Sequence, residues 1–124
     1  MCIRDRRVAD QYHDEYVRPQ ESGTKGGLRW WTVADSAGTG LTILADAPFS
    51  ASALPYATAD LDVSNFPPQQ HSGTLVARDA TFVNFDLLQS GLGCIDSWGA
   101  LPEKQFRVPY GDYTFRFMLK PTVK

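Results

Sequence analysis

Between Tyr113 and Leu119 the side chains alternate without a break. Tyr113, Phe115, Phe117 and Leu119 fall on one side, and Thr114, Arg116 and Met118 on the other. Successive side chains of a strand point to opposite faces, so this spacing predicts a strand with one face against a core. Gly111 introduces the segment and Pro121 is expected to end it, since proline cannot donate to a sheet ladder. The same period recurs in Thr81–Leu87, where Val83, Phe85 and Leu87 share a face opposite Asn84 and Asp86. Two such segments commit the chain to a sheet.

Further segments fit that frame. Leu28–Ala34 is rich in aromatic and β-branched residues, with Leu28 and Trp30 on one side and Trp31 and Val33 on the other. Apolar residues on both sides predict a strand buried on both faces. The turn Ser36-Ala37-Gly38-Thr39-Gly40 joins it to Leu41–Ala45, which makes a hairpin. Tyr16-Val17-Arg18, stopped by Pro19, and Thr74–Arg78 also read as short strands. Pro48 to Tyr56 reads as irregular, because Pro55 forbids a central strand there. Thr58–Asp62 predicts one helical turn capped by Thr58. About six short strands separated by turns make the expected fold all-β, an antiparallel β-sandwich.

Composition narrows the function classes. Across 124 residues, 43% apolar and 21% charged content is that of a folded globular domain. The net charge of −2 with scattered basic residues excludes a nucleic-acid surface, which needs a cationic stripe. No apolar run approaches the ~20 residues of a membrane-spanning helix. Residues 1–7 read as a leader foreign to the domain, with no apolar stretch of a signal peptide, so the domain is expected over 8–124. The two cysteines, Cys2 and Cys94, support no particular disulfide, and His13 and His71 have no neighbours at metal-ligand spacing.

The one stretch with binding character is Gly91-Leu92-Gly93-Cys94-Ile95-Asp96-Ser97-Trp98-Gly99, a glycine-framed loop ending in an indole. As a residue alone, Trp98 reads either as a lid on the core or as a platform for the C–H face of a pyranose. Catalytic groups do not assemble around it. Glycoside hydrolysis needs two facing carboxylates, and Asp96 has no partner in the pattern. Gly91 and Gly93 are too sparse for a phosphate cradle, and Ser97 lacks a nucleophile elbow.

Four motifs occur in a particular order: Tyr16-Val17-Arg18-Pro19-Gln20-Glu21-Ser22-Gly23, Arg29-Trp30, Phe49–Tyr56, and Gly91-Leu92-Gly93 followed by Asp96-Ser97-Trp98-Gly99. In that order they resemble the C-terminal domain of the large multidomain β-galactosidases of glycoside hydrolase family 2, from about Val8 to Pro121. Cys94-Ile95 departs from the small and acidic residues that the family often carries there. The resemblance implies part of a galactose-mutarotase-like supersandwich and a parent enzyme that cleaves β-galactosides such as lactose. It implies that both catalytic glutamates, with the magnesium and sodium ligands, belong to a separate (β/α)8 barrel. This chain would then hold no cofactor and be inactive alone, in a cytoplasmic, homo-oligomeric parent. On that likeness Trp98 contacts the bound sugar. The alternatives are a stand-alone carbohydrate-binding sandwich using Trp98 with Trp30 or Trp31, and a structural interaction domain. An ion pair between Glu21 and Arg29 is a further expectation.

Overall fold

The computed structural model describes residues 5–12, 23–61, 75–90 and 99–123. Within them lie four strands: β1 (Lys25–Ala34), β2 (Gly40–Leu54), β3 (Phe82–Asp86) and β4 (Phe117–Thr122). One helical turn, α1 (Thr58–Leu61), and two short 3-10 turns at Val8–Asp10 and Lys104–Phe106 complete the regular structure. The sheet order is β1-β2-β3, and β4 pairs antiparallel with β2. The chain is all-β, an antiparallel open sheet with little helix, the make-up expected of an all-β sandwich. Tyr16-Val17-Arg18 and Glu21, with the ion pair expected of it, lie outside the described residues, as do both cysteines and both histidines.

The chain divides into two compact units, Met1–Gly26 with Ala51–Phe85, and Gly27–Ser50 with Asp86–Lys124. In the second, the β1–β2 hairpin forms as the turn residues predict. The Asp35 carboxylate accepts from the backbone N–H groups of Ala37 and Thr39, both at 2.9 Å, and Gly38 adopts φ +88°. Such local bonding by aspartate is what favours it in turns. A Cβ on Gly40 would lie 2.0 Å from the Val33 carbonyl oxygen, so only glycine permits this approach of the strands.

β2 is longer than the sequence predicts, running through Pro48 to Leu54 where irregular chain is expected. The register with β4 explains how proline is carried. Ala45 faces Phe117, and the next pair is bonded by Asp46 N–H to the Arg116 carbonyl at 3.3 Å. Bonded and unbonded pairs alternate in an antiparallel ladder. The next bonded pair would need an N–H from Pro48 opposite Thr114, and the ladder stops before it. For the same reason β4 begins at Phe117 and not at Tyr113, which corrects the predicted strand. Pro121 lies inside β4, opposite Leu41, in an unbonded pair. Its nitrogen faces away from β2, so the missing N–H breaks no ladder bond.

The covered face of this unit carries Ile43 and Phe49, 1% and 2% exposed. Phe115 extends the cluster, with its ring 6.3 Å from Phe49 and 5.3 Å from Phe117. Leu28, Trp30, Trp31 and Val33 are not buried, contrary to the expectation for β1. Burial on both faces occurs instead in the first unit, at Ala51–Leu54. Small alanine and serine side chains let neighbours close over both sides of a strand, which two adjacent indoles do not.

Also in the first unit, Thr58 opens α1 but is not its cap. The Asp60 carboxylate reaches back to the Ala57 N–H at 2.8 Å, the acidic half of a capping box. Asp60 also takes both arms of Arg78, at 2.7 and 2.5 Å, and the guanidinium lies 5.9 Å from the centre of the Phe82 ring. Leu75–Arg78 is not the predicted strand. It is irregular, held by this pair and by Arg78 N–H to the Pro55 carbonyl at 2.9 Å. The Tyr12 and Tyr56 rings meet edge to face at 5.0 Å.

The Arg78 guanidinium and then the Ala57 N–H hold the Asp60 carboxyl below its ordinary value. A carboxylate favoured in the folded state adds stability above its unfolded pKa, and loses it as pH falls through the lower folded value. Melting temperatures recorded from about pH 5 down to pH 2 should therefore fall more steeply for the natural chain than for Asp60→Asn. Parallel acid limbs would show that the pair contributes nothing.

Candidate substrate-contact loop and its stems

Trp98, the one residue expected to touch substrate, lies outside the described residues with the rest of 91–98, including Asp96 and Cys94. The structure describes both stems of the loop. β3 ends at Asp86 and leads through Leu88 and Gln89 towards it. On the far side Gly99 adopts φ +104°, and a Cβ there would meet nothing within 4 Å. Glycine is required at that position by backbone conformation and not by space.

After Gly99 the chain is locked by short-range bonds. Phe106 N–H donates to the Glu103 carbonyl at 2.8 Å and Arg107 N–H to that of Lys104 at 3.3 Å, closing the 3-10 turn. Arg107 Nε donates to the Pro102 carbonyl at 2.5 Å, and Gln105 Nε2 to a Glu103 carboxylate oxygen at 3.1 Å. The Tyr113 hydroxyl donates to the Pro109 carbonyl. Residues 105–109, held in this shape, lie beside the upstream stem. Leu88 and Gln89 then face Gln105, Phe106, Arg107, Val108 and Pro109 across an open cleft of about 260 Å³.

The cleft combines an exposed phenyl ring with two amides and a guanidinium. Such groups hold a small polar ring by packing and hydrogen bonds, and the volume is below the ~300–1,000 Å³ of pockets for drug-sized ligands. Its lining contains no carboxylate, so it offers no general acid or base for glycoside cleavage. In the sequence Leu101–Lys104 reads as a plain polar exit, and none of the cleft residues stands out. No local pattern signals them, because the cleft arises only when two stems separated by the loop come together. Among the described residues, no group of three His, Cys, Asp or Glu stands close enough to hold a metal ion. No helix among them is long and apolar enough to cross a membrane.

Among the described residues the fold is an antiparallel sheet with little helix, the make-up of an all-β domain. Residues 5–119 match the beta galactosidase small chain family, and the chain belongs to it. Among relatives, it is 34% identical over 108 residues to the β-galactosidase of Priestia megaterium and, at the same identity and length, to that of Streptococcus thermophilus. Each alignment covers 86% of this chain and 10% of the relative. A β-galactosidase from Photobacterium profundum is 30% identical over 117 residues, covering 90% of this chain and 10% of its own length. The chain thus spans about a tenth of the length of these relatives.

Proposed function

We propose that this chain serves as part of the C-terminal β-domain of a β-galactosidase of glycoside hydrolase family 2, and that it completes the sugar site through Trp98. The single observation carrying this reading is the family match over residues 5–119, in a chain one-tenth the length of its β-galactosidase relatives. The motif Asp96-Ser97-Trp98-Gly99 supplies the residue. In this reading the two carboxylates that cleave the glycosidic bond stand on a separate barrel, together with any magnesium or sodium site. Trp98 adds an apolar face against which the C–H surface of a galactoside packs, and the chain has no hydrolytic activity alone.

The experiment is Trp98→Ala in the whole enzyme that carries this segment. Loss of one stacked ring should weaken transition-state binding of lactose by about 1–3 kcal/mol, a fall of roughly 5- to 150-fold in kcat/KM. The melting profile should stay unchanged, and Trp98→Phe should recover part of the loss. Unaltered lactose kinetics in Trp98→Ala would overturn the assignment. Reading the coding sequence upstream of Val8 tests the setting independently. An in-frame barrel with a pair of glutamates is expected, and a stop codon directly before a true start codon would contradict it.

A further inference from the structure

The cleft between the loop's stems is lined by polar groups whose bonding capacity is only partly used. Gln105 commits Nε2 to the Glu103 carboxylate, which leaves the amide oxygen of the same side chain as an acceptor. Arg107 commits Nε to the Pro102 carbonyl, and its two terminal nitrogens have no partner among the described residues. The Gln89 side chain has none among them either, so its amide offers both a carbonyl and an NH2 group. Phe106, Leu88 and Val108 add apolar surface to the same cleft and are 56%, 50% and 41% exposed. The bonds to Pro102 and Glu103 fix one wall in place before any ligand arrives, which lowers the cost of ordering it on binding.

We infer that this cleft is a saccharide subsite, and that its occupant is one further pyranose unit of a galactoside longer than lactose. The inference rests on the function proposed above and adds to it a substrate class that Trp98 alone does not select. The chemistry of the lining favours hydroxyls over an anion. A sugar hydroxyl both donates and accepts, and here donors on Gln89 and Arg107 stand with acceptors on Gln89 and Gln105. A phosphate or carboxylate needs donors only, and two amide oxygens in the same cleft would oppose it. The phenyl ring of Phe106, with Leu88 and Val108, supplies an apolar surface for the C–H face of the ring. An open cleft of about 260 Å³ suits one ring and leaves the rest of the ligand outside. Both walls belong to the stems of the loop that carries Trp98, which joins this cleft to the proposed sugar site.

The test compares two substrates in the whole enzyme that carries this segment: lactose, and the trisaccharide in which a further galactose is β-linked to lactose. Phe106 and Gln89 are both exposed, so Phe106→Ala and Gln89→Leu leave the fold standing. Each variant should lower the ratio of trisaccharide to lactose kcat/KM by about 3- to 10-fold, the scale of one ring contact or one hydrogen bond. Phe106→Tyr keeps the ring and should keep the ratio. An unchanged ratio in both Phe106→Ala and Gln89→Leu overturns the inference, even where the two substrates are slowed together, because a disturbed Trp98 loop would act on both alike. Trp98→Ala reads the proposed function separately, so a natural response there with an unchanged ratio here refutes the subsite and leaves the function intact. If the natural enzyme cleaves neither sugar, the function is refuted and the subsite is read by binding. The side-chain NH2 resonances of Gln89, assigned by their loss in Gln89→Leu, should then shift on titration with the trisaccharide. Their failure to shift overturns the inference.

Discussion

Phe49→Ala should remove about 3–5 kcal/mol of stability, the usual cost of truncating a fully buried aromatic. Phe49 is 2% exposed and lies within ring contact of Phe115, which in turn meets Phe117 at the start of β4. Its loss leaves a void beneath the point where β4 joins β2, and the covered face has little else to close it. Ile43 is the only other large side chain so fully enclosed among the described residues of this unit. Domains of this size are stable by about 5–15 kcal/mol, so the variant should populate unfolded chain at moderate denaturant. Urea midpoints for the natural chain, Phe49→Ala and Phe106→Ala provide the check. Phe106 is exposed beside the cleft, and its truncation should cost less than about 0.5 kcal/mol. Equal shifts for the two phenylalanines would show that the cluster around Phe49 does not organise this unit.

Gly40→Ala should cost at least the ~1–3 kcal/mol of an overpacked core site, although it adds a single methyl group. The added carbon would stand 2.0 Å from the Val33 carbonyl oxygen and 2.5 Å from the Ala34 Cα, both backbone atoms that no rotamer change can move. The hairpin must open to admit it, and β4 pairs with the same end of β2 through Gly40 and Thr122. Gly111→Ala is the matched control, since a Cβ there meets nothing within 4 Å. Denaturant midpoints should fall for the first variant and stay near the natural value for the second. A natural midpoint for Gly40→Ala would mean that the two strands do not approach this closely.

Period and turn chemistry make much of the sheet legible in the sequence. The alternation of Val83, Phe85 and Asn84 marks β3, and the Asp35–Gly40 turn marks the hairpin, because both signals are local. The failures share a non-local cause. Ala51–Leu54 has weak strand propensity and is flanked by prolines, yet it is the most enclosed stretch of β2 because small side chains allow covering on both sides. Tyr113–Leu119 alternates cleanly, but where its ladder starts is decided by Pro48, more than sixty residues earlier. Leu75–Arg78 reads as a strand and is fixed instead by a carboxylate on α1. The loop motif draws attention to Trp98 through resemblance, while the cleft between the loop's stems leaves no trace in residue spacing.

The outward-facing nitrogen of Pro121 has a bearing on how this chain meets copies of itself at high concentration. Strand-by-strand stacking, the route to fibrils, requires a donor on the outer rim of the strand being extended at every second residue. Pro121 removes one of them near the middle of that rim's second half, where six residues are all that β4 presents. Fibrillar growth along that direction is thereby discouraged while the broad side of the sheet stays accessible. Any clumping of the isolated chain should accordingly be amorphous and driven by greasy contact between broad sides, with solubility depending on what covers the indole of Trp30 and not on capping the rim.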